Sequence, residues 1–254
     1  MKRVIFFLIV ILATNLNAQI PVGNWRTHLA YSNVNQIAET PEKVYGLSDG
    51  ALFSYKKEDN SIDLVTKIDG LSDNSISLIS YSIENKVLVI IYDNSNIDLL
   101  TDEGRIYNIL DIKEKNLSAD KTINSISFNG SKAYLSTGYG ISIINLVKHE
   151  IADSYLLNKN TYSSIISNGI LFAATSKGIF GASITSNLID PSNWSKKVDL
   201  IANDLVNFNE TLVALDLMNG IFTISENGSQ IFYSSNAFTG LLVSQNILIA
   251  YGKS

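Results

Sequence analysis

The chain has 254 residues, 46% of them apolar, which is enough to fill a sizeable core and excludes a disordered polymer. Its 19 basic and 24 acidic side chains give a net charge of -5, without the positive field that gathers a nucleic-acid backbone. Cysteine is absent, so disulfides, thiolate zinc sites and thiol nucleophiles are excluded.

The first 18 residues have the order of a signal peptide. Lys2 and Arg3 precede the apolar run Val4 to Ala13, and a short polar stretch ends at Ala18. Ten apolar residues suit an export signal and fall well short of the roughly 20 that span a bilayer. Residues 1–18 are therefore expected to be removed, leaving 19–254 as an exported chain with no transmembrane span. Without a cysteine near Gln19 there is no lipobox. The expected product is exported to the periplasm or beyond, and is soluble or held by partners.

After the lead-in "GNWRTHLAY" at 23–31, no stretch of a dozen residues places apolar side chains at helical spacing. A run rich in Ile, Val, Leu, Tyr and Ser recurs instead, followed by a turn, a more apolar run, another turn and two further strands. The second strand marks the register: "VYGLSDG" from Val44, "VLVIIYDNSN" from Val87, "AYLSTGYG" from Ala133, "LFAATSKG" from Leu171, "LVALDLMNG" from Leu212 and "LIAYGKS" from Leu248. Successive starts lie 43, 46, 38, 41 and 36 residues apart, near the roughly 40 to 50 of a propeller blade. Before each later marker stands a turn: "ENK" at 84–86, "NGSK" at 129–132, "NG" at 168–169, "NE" at 209–210 and "QN" at 245–246. Asn and Gly at such turns supply the positive φ of a two-residue hairpin. After the marker come Gly50, Gly140, Gly178 and Gly220, read as turn glycines, with Asn96 taking that place in the second unit.

The runs "VLVIIY", "ISIINL" and "LVALDL" are apolar at consecutive positions, although short hairpins make the strands antiparallel. A sheet with one wet face would alternate. Antiparallel strands buried on both faces are what a propeller needs, because each blade lies between two neighbours. The fold expected is all-β, a β-propeller with four-stranded blades at about 33–73, 74–120, 121–160, 161–203 and 204–237. "FTGLLVSQN" and "ILIAYGKS" supply two strands of a sixth. The count is thus five blades plus half of a sixth, in a longer polypeptide.

No residue is assigned as catalytic, cofactor-binding or metal-binding. His28 and His149 lie in different units, whereas a metal or catalytic pair would converge with carboxylates. "TGYG" at 137–140 looks like a phosphate loop, but no helix follows to present its amides, so it reads as a blade turn. "DNSNID" at 93–98 is rich in oxygen ligands, with Asp93 and Asp98 at its ends, yet it fits no calcium loop and reads as a hairpin turn. Asp69 and Asp73 flank a connector and read as solvated turn residues rather than a glycosidase pair. Trp194 is expected to open the outer strand of the fourth unit, and Trp25 to pack in the lead-in. No serine sits in a nucleophile elbow.

Three ordered stretches carry a family resemblance: "PVGNWRTHLAYSNVNQIA" at 21–38, "VYGLSDGALFSYKKEDNSI" at 44–62 and "KIDGLSDNSISLISYS" at 67–82. With "DIKEKNLSADKTIN" at 111–124 and "AYLSTGYGISIINL" at 133–146, the chain resembles the N-terminal propeller of the PorZ family, surface components of the type IX secretion system. The resemblance implies two seven-bladed propellers and a C-terminal β-sandwich, acting without catalysis where secreted cargo is attached at the cell surface. The implied partners are the sortase PorU and anionic lipopolysaccharide, the latter through a C-terminal domain outside these 254 residues. No cofactor is implied, and partner-binding residues are not identified. Two other readings of an exported propeller stay open: the sensor half of a two-component regulator, and a glycan-binding or glycan-cleaving propeller.

Overall fold

The computed structural model describes residues 33–225 and 228–252; the expected signal segment, Trp25 and His28 lie outside them. The described chain folds as consecutive antiparallel sheets. Sheet 1 is β1 (Val34–Glu39), β2 (Lys43–Ser48), β3 (Ala51–Lys56) and β4 (Ile62–Val65). Sheet 2 is β5 (Ile76–Ser82), β6 (Val87–Tyr92), β7 (Ile97–Thr101) and β8 (Ile106–Ile109). Sheet 3 is β9 (Ile123–Asn129), β10 (Lys132–Thr137), β11 (Gly140–Asn145) and β12 (Glu150–Leu156). Sheet 4 is β13 (Thr161–Ser167), β14 (Ile170–Thr175), β15 (Gly178–Ser183) and β16 (Ser195–Val198). Sheet 5 is β17 (Asp204–Phe208), β18 (Thr211–Asp216), β19 (Gly220–Ser225) and β20 (Gly228–Tyr233), and sheet 6 is β21 (Gly240–Ser244) with β22 (Ile247–Tyr251). Every marker run falls on a second strand. Among the described residues, the helical content that sequence reading missed is one α-helical turn, α1 (Asp111–Glu114), in the connector from sheet 2 to sheet 3, and two 3₁₀ turns at Lys67–Asp69 and Pro191–Asn193. No helix among the described residues is long and apolar enough to cross a membrane.

Within each four-stranded sheet the strands lie in chain order, and the first strands of consecutive sheets lie side by side, as in a propeller. Turns between first and second strands, and between third and fourth, therefore share one end of the molecule, called here the hairpin end. Connectors between sheets occupy the other.

The second strands explain why the sequence does not alternate. On β6, Val87, Val89 and Ile91 pack with Ala133 and Leu135 of sheet 3, while Leu88, Ile90 and Tyr92 pack with Tyr45, Leu47 and Leu52 of sheet 1. Leu171 and Ala173 of β14 face Tyr134 and Ile143 of sheet 3, and Ala174 faces Leu212 and Ala214 of sheet 5. Val213 and Leu215 of β18 meet Leu241 of sheet 6. Five cores thus lie between successive sheets, and both faces of the middle strands are dry. On β22 the pattern changes to alternation: Leu248 and Ala250 pack toward sheet 5, while Ile247, Ile249 and Tyr251 are exposed.

The turns follow the expected chemistry at three hairpins, where both central residues have positive φ: Asn168 and Gly169, Asn209 and Glu210, Gln245 and Asn246. Three glycine readings need correction. Gly140, Gly178 and Gly220 are not in turns but begin β11, β15 and β19. A Cβ would lie 2.1 Å from the Tyr155 and Tyr233 carbonyl oxygens at Gly140 and Gly220, and 2.8 Å from the Val198 carbonyl oxygen at Gly178, so the close crossing of the fourth strand demands glycine along with the positive φ. In sheet 2 the left-handed position is Ser95, not Asn96. Asn96 is buried, and its side-chain oxygen accepts from the Ile97 amide and Asn108 Nδ2.

Polar side chains tie neighbouring sheets where their first strands meet. In sheets 1 to 4 the register of the first strand slips near its start, a bulge that re-aims local side chains. Gln36 donates to the Ser77 carbonyl and accepts from the Ile79 amide, joining sheets 1 and 2. Asn124 donates to Asn160 Oδ1 and the Thr161 carbonyl, joining sheets 3 and 4. Asp204 links three sheets: its carboxylate accepts from the Leu241 amide of sheet 6, the Leu205 amide of its own strand and the Ser163 hydroxyl of sheet 4. Burial raises its pKa above the ordinary 3.8, against the opposing pull of those hydrogen bonds.

Two outcomes are expected. Gly140→Ala should lower unfolding free energy by about 2–4 kcal/mol, against about 1 kcal/mol for Gly104→Ala, whose Cβ would meet nothing, in matched denaturant titrations. Because the folded pKa of Asp204 is raised, its contribution to stability is full below the ordinary carboxylate range and is lost as pH rises through the folded value. Asp204→Asn should therefore reduce the fall in stability as pH rises above the ordinary carboxylate range, read as a slope against the parent chain. An unchanged slope would contradict this.

Candidate functional site

Of the carboxylates singled out in the sequence, Asp69, Asp73 and Asp98 are committed to structural bonds. Asp98 is fully buried on β7 and accepts from the Tyr92 hydroxyl, the Ser72 amide and Asn108 Nδ2. Burial, then the bond to Asp98, pushes the Tyr92 phenol far above its ordinary range. Asp93 stays in the exposed turn, so the oxygen-rich "DNSNID" run divides between a hairpin and a buried polar hub. Asp69 accepts from the Thr66 amide and hydroxyl at 2.8 Å each, closing a capped turn. Asp73 departs from its reading as a solvated residue. It accepts from Asn94 Nδ2, the Asn74 amide and Lys113 Nζ at 3.1 Å, which pins the connector to α1 and holds its carboxyl far below the usual range.

The "TGYG" run is the blade turn expected of it. Tyr139 is buried, and its carbonyl accepts from the Leu157 and Asn158 amides. Trp194 stands immediately before β16, as expected, buried between sheets 3 and 4 with its indole N–H donating to the Leu188 carbonyl at 3.0 Å. No group of three or more potential metal-ligating side chains gathers among the described residues.

His149 is the exception, because it stands in a groove. It occupies the turn from β11 to β12 at φ 58, and its ring stacks on Tyr107 of β8 with centroids 3.7 Å apart and planes 8° from parallel. The groove, about 510 Å³, lies between sheets 2 and 3 at the hairpin end. Val87, Leu146 and Tyr107 give it an apolar floor, and Asn85, Glu103 and Arg105 line its polar side. Asn85 also donates to the Gly130 carbonyl, bridging the hairpin turns of the two sheets. A second groove, about 370 Å³, lies in the corresponding place between sheets 4 and 5, over Ile170, Phe172, Leu212 and Ile224. There Asn168 donates across to the Glu210 carbonyl, as Asn85 does in the first. Sequence reading missed Tyr107 and Arg105, which lie in an ordinary-looking fourth strand and turn. The one available signal was that Arg105 is the only arginine after Arg26.

Comparison with known proteins bears on which fold family built these grooves. Curated proteins yield no matching relative. Among solved structures, the chain is similar to PorZ, described as an essential bacterial surface component of the type IX secretion system of Porphyromonas gingivalis. Identity is 29%, the TM-score 0.81, and coverage 91% of this chain and 32% of the other. The chain thus spans about a third of that protein's length. The extracellular domain of a hybrid two-component system from B. thetaiotaomicron matches at 16% identity and TM-score 0.55, over 77% of this chain and 27% of the other. A chain of the mitotic checkpoint complex matches at 9% and TM-score 0.63, covering 86% and 72%. These two likenesses show the fold alone. The family described as the PorZ N-terminal β-propeller domain of the type IX secretion system matches residues 44–195, and the chain belongs to it.

Proposed function

We propose that this chain is the N-terminal propeller portion of an exported, non-catalytic scaffold of the type IX secretion system, assisting the attachment of secreted cargo at the cell surface. The observation that carries the proposal is the likeness to PorZ over 91% of the chain. In this reading residues 1–18 direct export and residues 19–254 belong to a seven-bladed propeller within a longer polypeptide. The sortase PorU is the proposed partner in the attachment complex. Contact with anionic lipopolysaccharide belongs to a C-terminal domain outside this chain.

The non-catalytic assignment is supported by the use made of the acids. Asp69, Asp73 and Asp98 hold turns and connectors, so none is free to act as a positioned acid or base. The sensor reading draws on likenesses of 16% identity and lower coverage, which carry the propeller fold without its role.

Deletion of the gene should leave cargo crossing the outer membrane but released into the medium, measured by fractionating cells and culture fluid. Normal surface attachment in the deletion strain would overturn the proposal.

A further inference from the structure

Two asparagines perform the same task at the hairpin end. Asn85 donates to the Gly130 carbonyl and ties sheet 2 to sheet 3, and Asn168 donates to the Glu210 carbonyl and ties sheet 4 to sheet 5. The residues that follow them differ: Lys86 comes after Asn85, and Gly169 after Asn168. That difference sets the chemical lifetime of each tie. An asparagine is converted when the backbone nitrogen of the next residue attacks its side-chain carbonyl carbon, and glycine, having no side chain, leaves that approach open.

Four Asn-Gly pairs occur in the chain, at 129–130, 168–169, 219–220 and 227–228, and Asn227 of the last lies outside the described residues. At Asn219 the attack is blocked. Its amide and its carboxamide both donate to the Asp216 carboxylate, and Gly220 is paired with Asp216 in the β18–β19 ladder. Asn129 ends β9 opposite Lys132, and its side chain reaches the Tyr134 phenol. Asn168 is the least restrained of the three. It shares the exposed tip of a two-residue turn with Gly169, both at positive φ, and neither backbone amide donates a hydrogen bond among the described residues. A Cβ at Gly169 would meet nothing within 4 Å, so the tip has room to swing. The carboxamide is held by one long bond, 3.3 Å from Nδ2 to the Glu210 carbonyl.

We propose that Asn168 is a modification site, converted without an enzyme to aspartate and isoaspartate, and that the conversion releases the tie between sheets 4 and 5. The Gly169 nitrogen loses its proton and bonds to Asn168 Cγ, while the side-chain nitrogen takes up a proton and leaves as ammonia, giving a succinimide ring. One water molecule then opens the ring at either carbonyl, leaving a carboxylate on the side chain or on the main chain. Both products lack the Nδ2 donor, and both set a negative charge in a groove that Glu210 also lines. Asn85 keeps its tie, because the side chain of Lys86 hinders the same attack. The proposal is independent of the secretion-system role.

The test holds the folded chain and a urea-unfolded portion at mildly alkaline pH, and follows each asparagine by peptide mass spectrometry, with enzymatic isoaspartate methylation as a second readout. In the folded chain Asn168 should convert about tenfold faster than Asn219 or Asn85, whereas in urea Asn168 and Asn219 should convert alike. Gly169→Asn keeps the left-handed backbone while adding a side chain, and should slow conversion at Asn168 about tenfold. Asn168→Asp should shift the amide signals of Glu210 and Thr211 and lower the urea midpoint. An Asn168 that stays intact in the folded chain over the interval in which it converts in urea would overturn the proposal, as would conversion led by Asn219. Unchanged Glu210 and Thr211 signals in Asn168→Asp would overturn the release of the tie.

Discussion

The second strands of sheets 2 to 5 each pack both of their faces at once. In β6 the odd and even positions belong to different cores, one shared with sheet 3 and one with sheet 1. Each position must then be apolar, and a polar substitution on either face would bury an unpaired group between sheets. The order of the sheets follows from this requirement. A strand with two dry faces needs a neighbour on each side, and short connectors make that neighbour the next sheet in the chain. Where a second strand has one neighbour, as in β22, alternation between buried and exposed positions returns.

This packing fixes where polar chemistry can stand. Between sheets a charged group stands only where it is closely bonded, as Asp98 is to its Tyr92, Ser72 and Asn108 partners. Along the first strands, side chains such as Gln36 and Asn124 are spent on joining sheets. The hairpin end is less constrained: adjacent sheets diverge there enough to open grooves whose walls come from turns. The features favourable to recognition, including Arg105 and the ring of His149, occur at that end.

Much of the fold was legible from residues because the signal came from period and not from single motifs. The marker strands starting at Val44, Val87, Ala133, Leu171, Leu212 and Leu248 each fall on an observed second strand. The asparagine-bearing turns at 168–169, 209–210 and 245–246 adopt the left-handed pairs expected of them. The reason for Gly140 and Gly220 was not legible, since it lies in the carbonyl of a fourth strand a dozen or more residues away. Asp73 escaped for a similar reason: its partner Lys113 is remote in sequence and sits on a one-turn helix that no periodicity could announce. The groove was equally hidden, because Tyr107 and His149 meet only when two sheets are stacked.

The measurement that tests the account most directly is the pattern of methyl-methyl nuclear Overhauser effects in a chain labelled at Ile, Leu and Val. Contacts are predicted within each core between consecutive sheets: Leu47 with the methyls of sheet 2, Leu135 with those of β6, and Leu215 with Leu241. Contacts between Leu47 of sheet 1 and Leu171 or Leu212 of sheets 4 and 5 would indicate sheets packed as a sandwich, and would contradict the central claim.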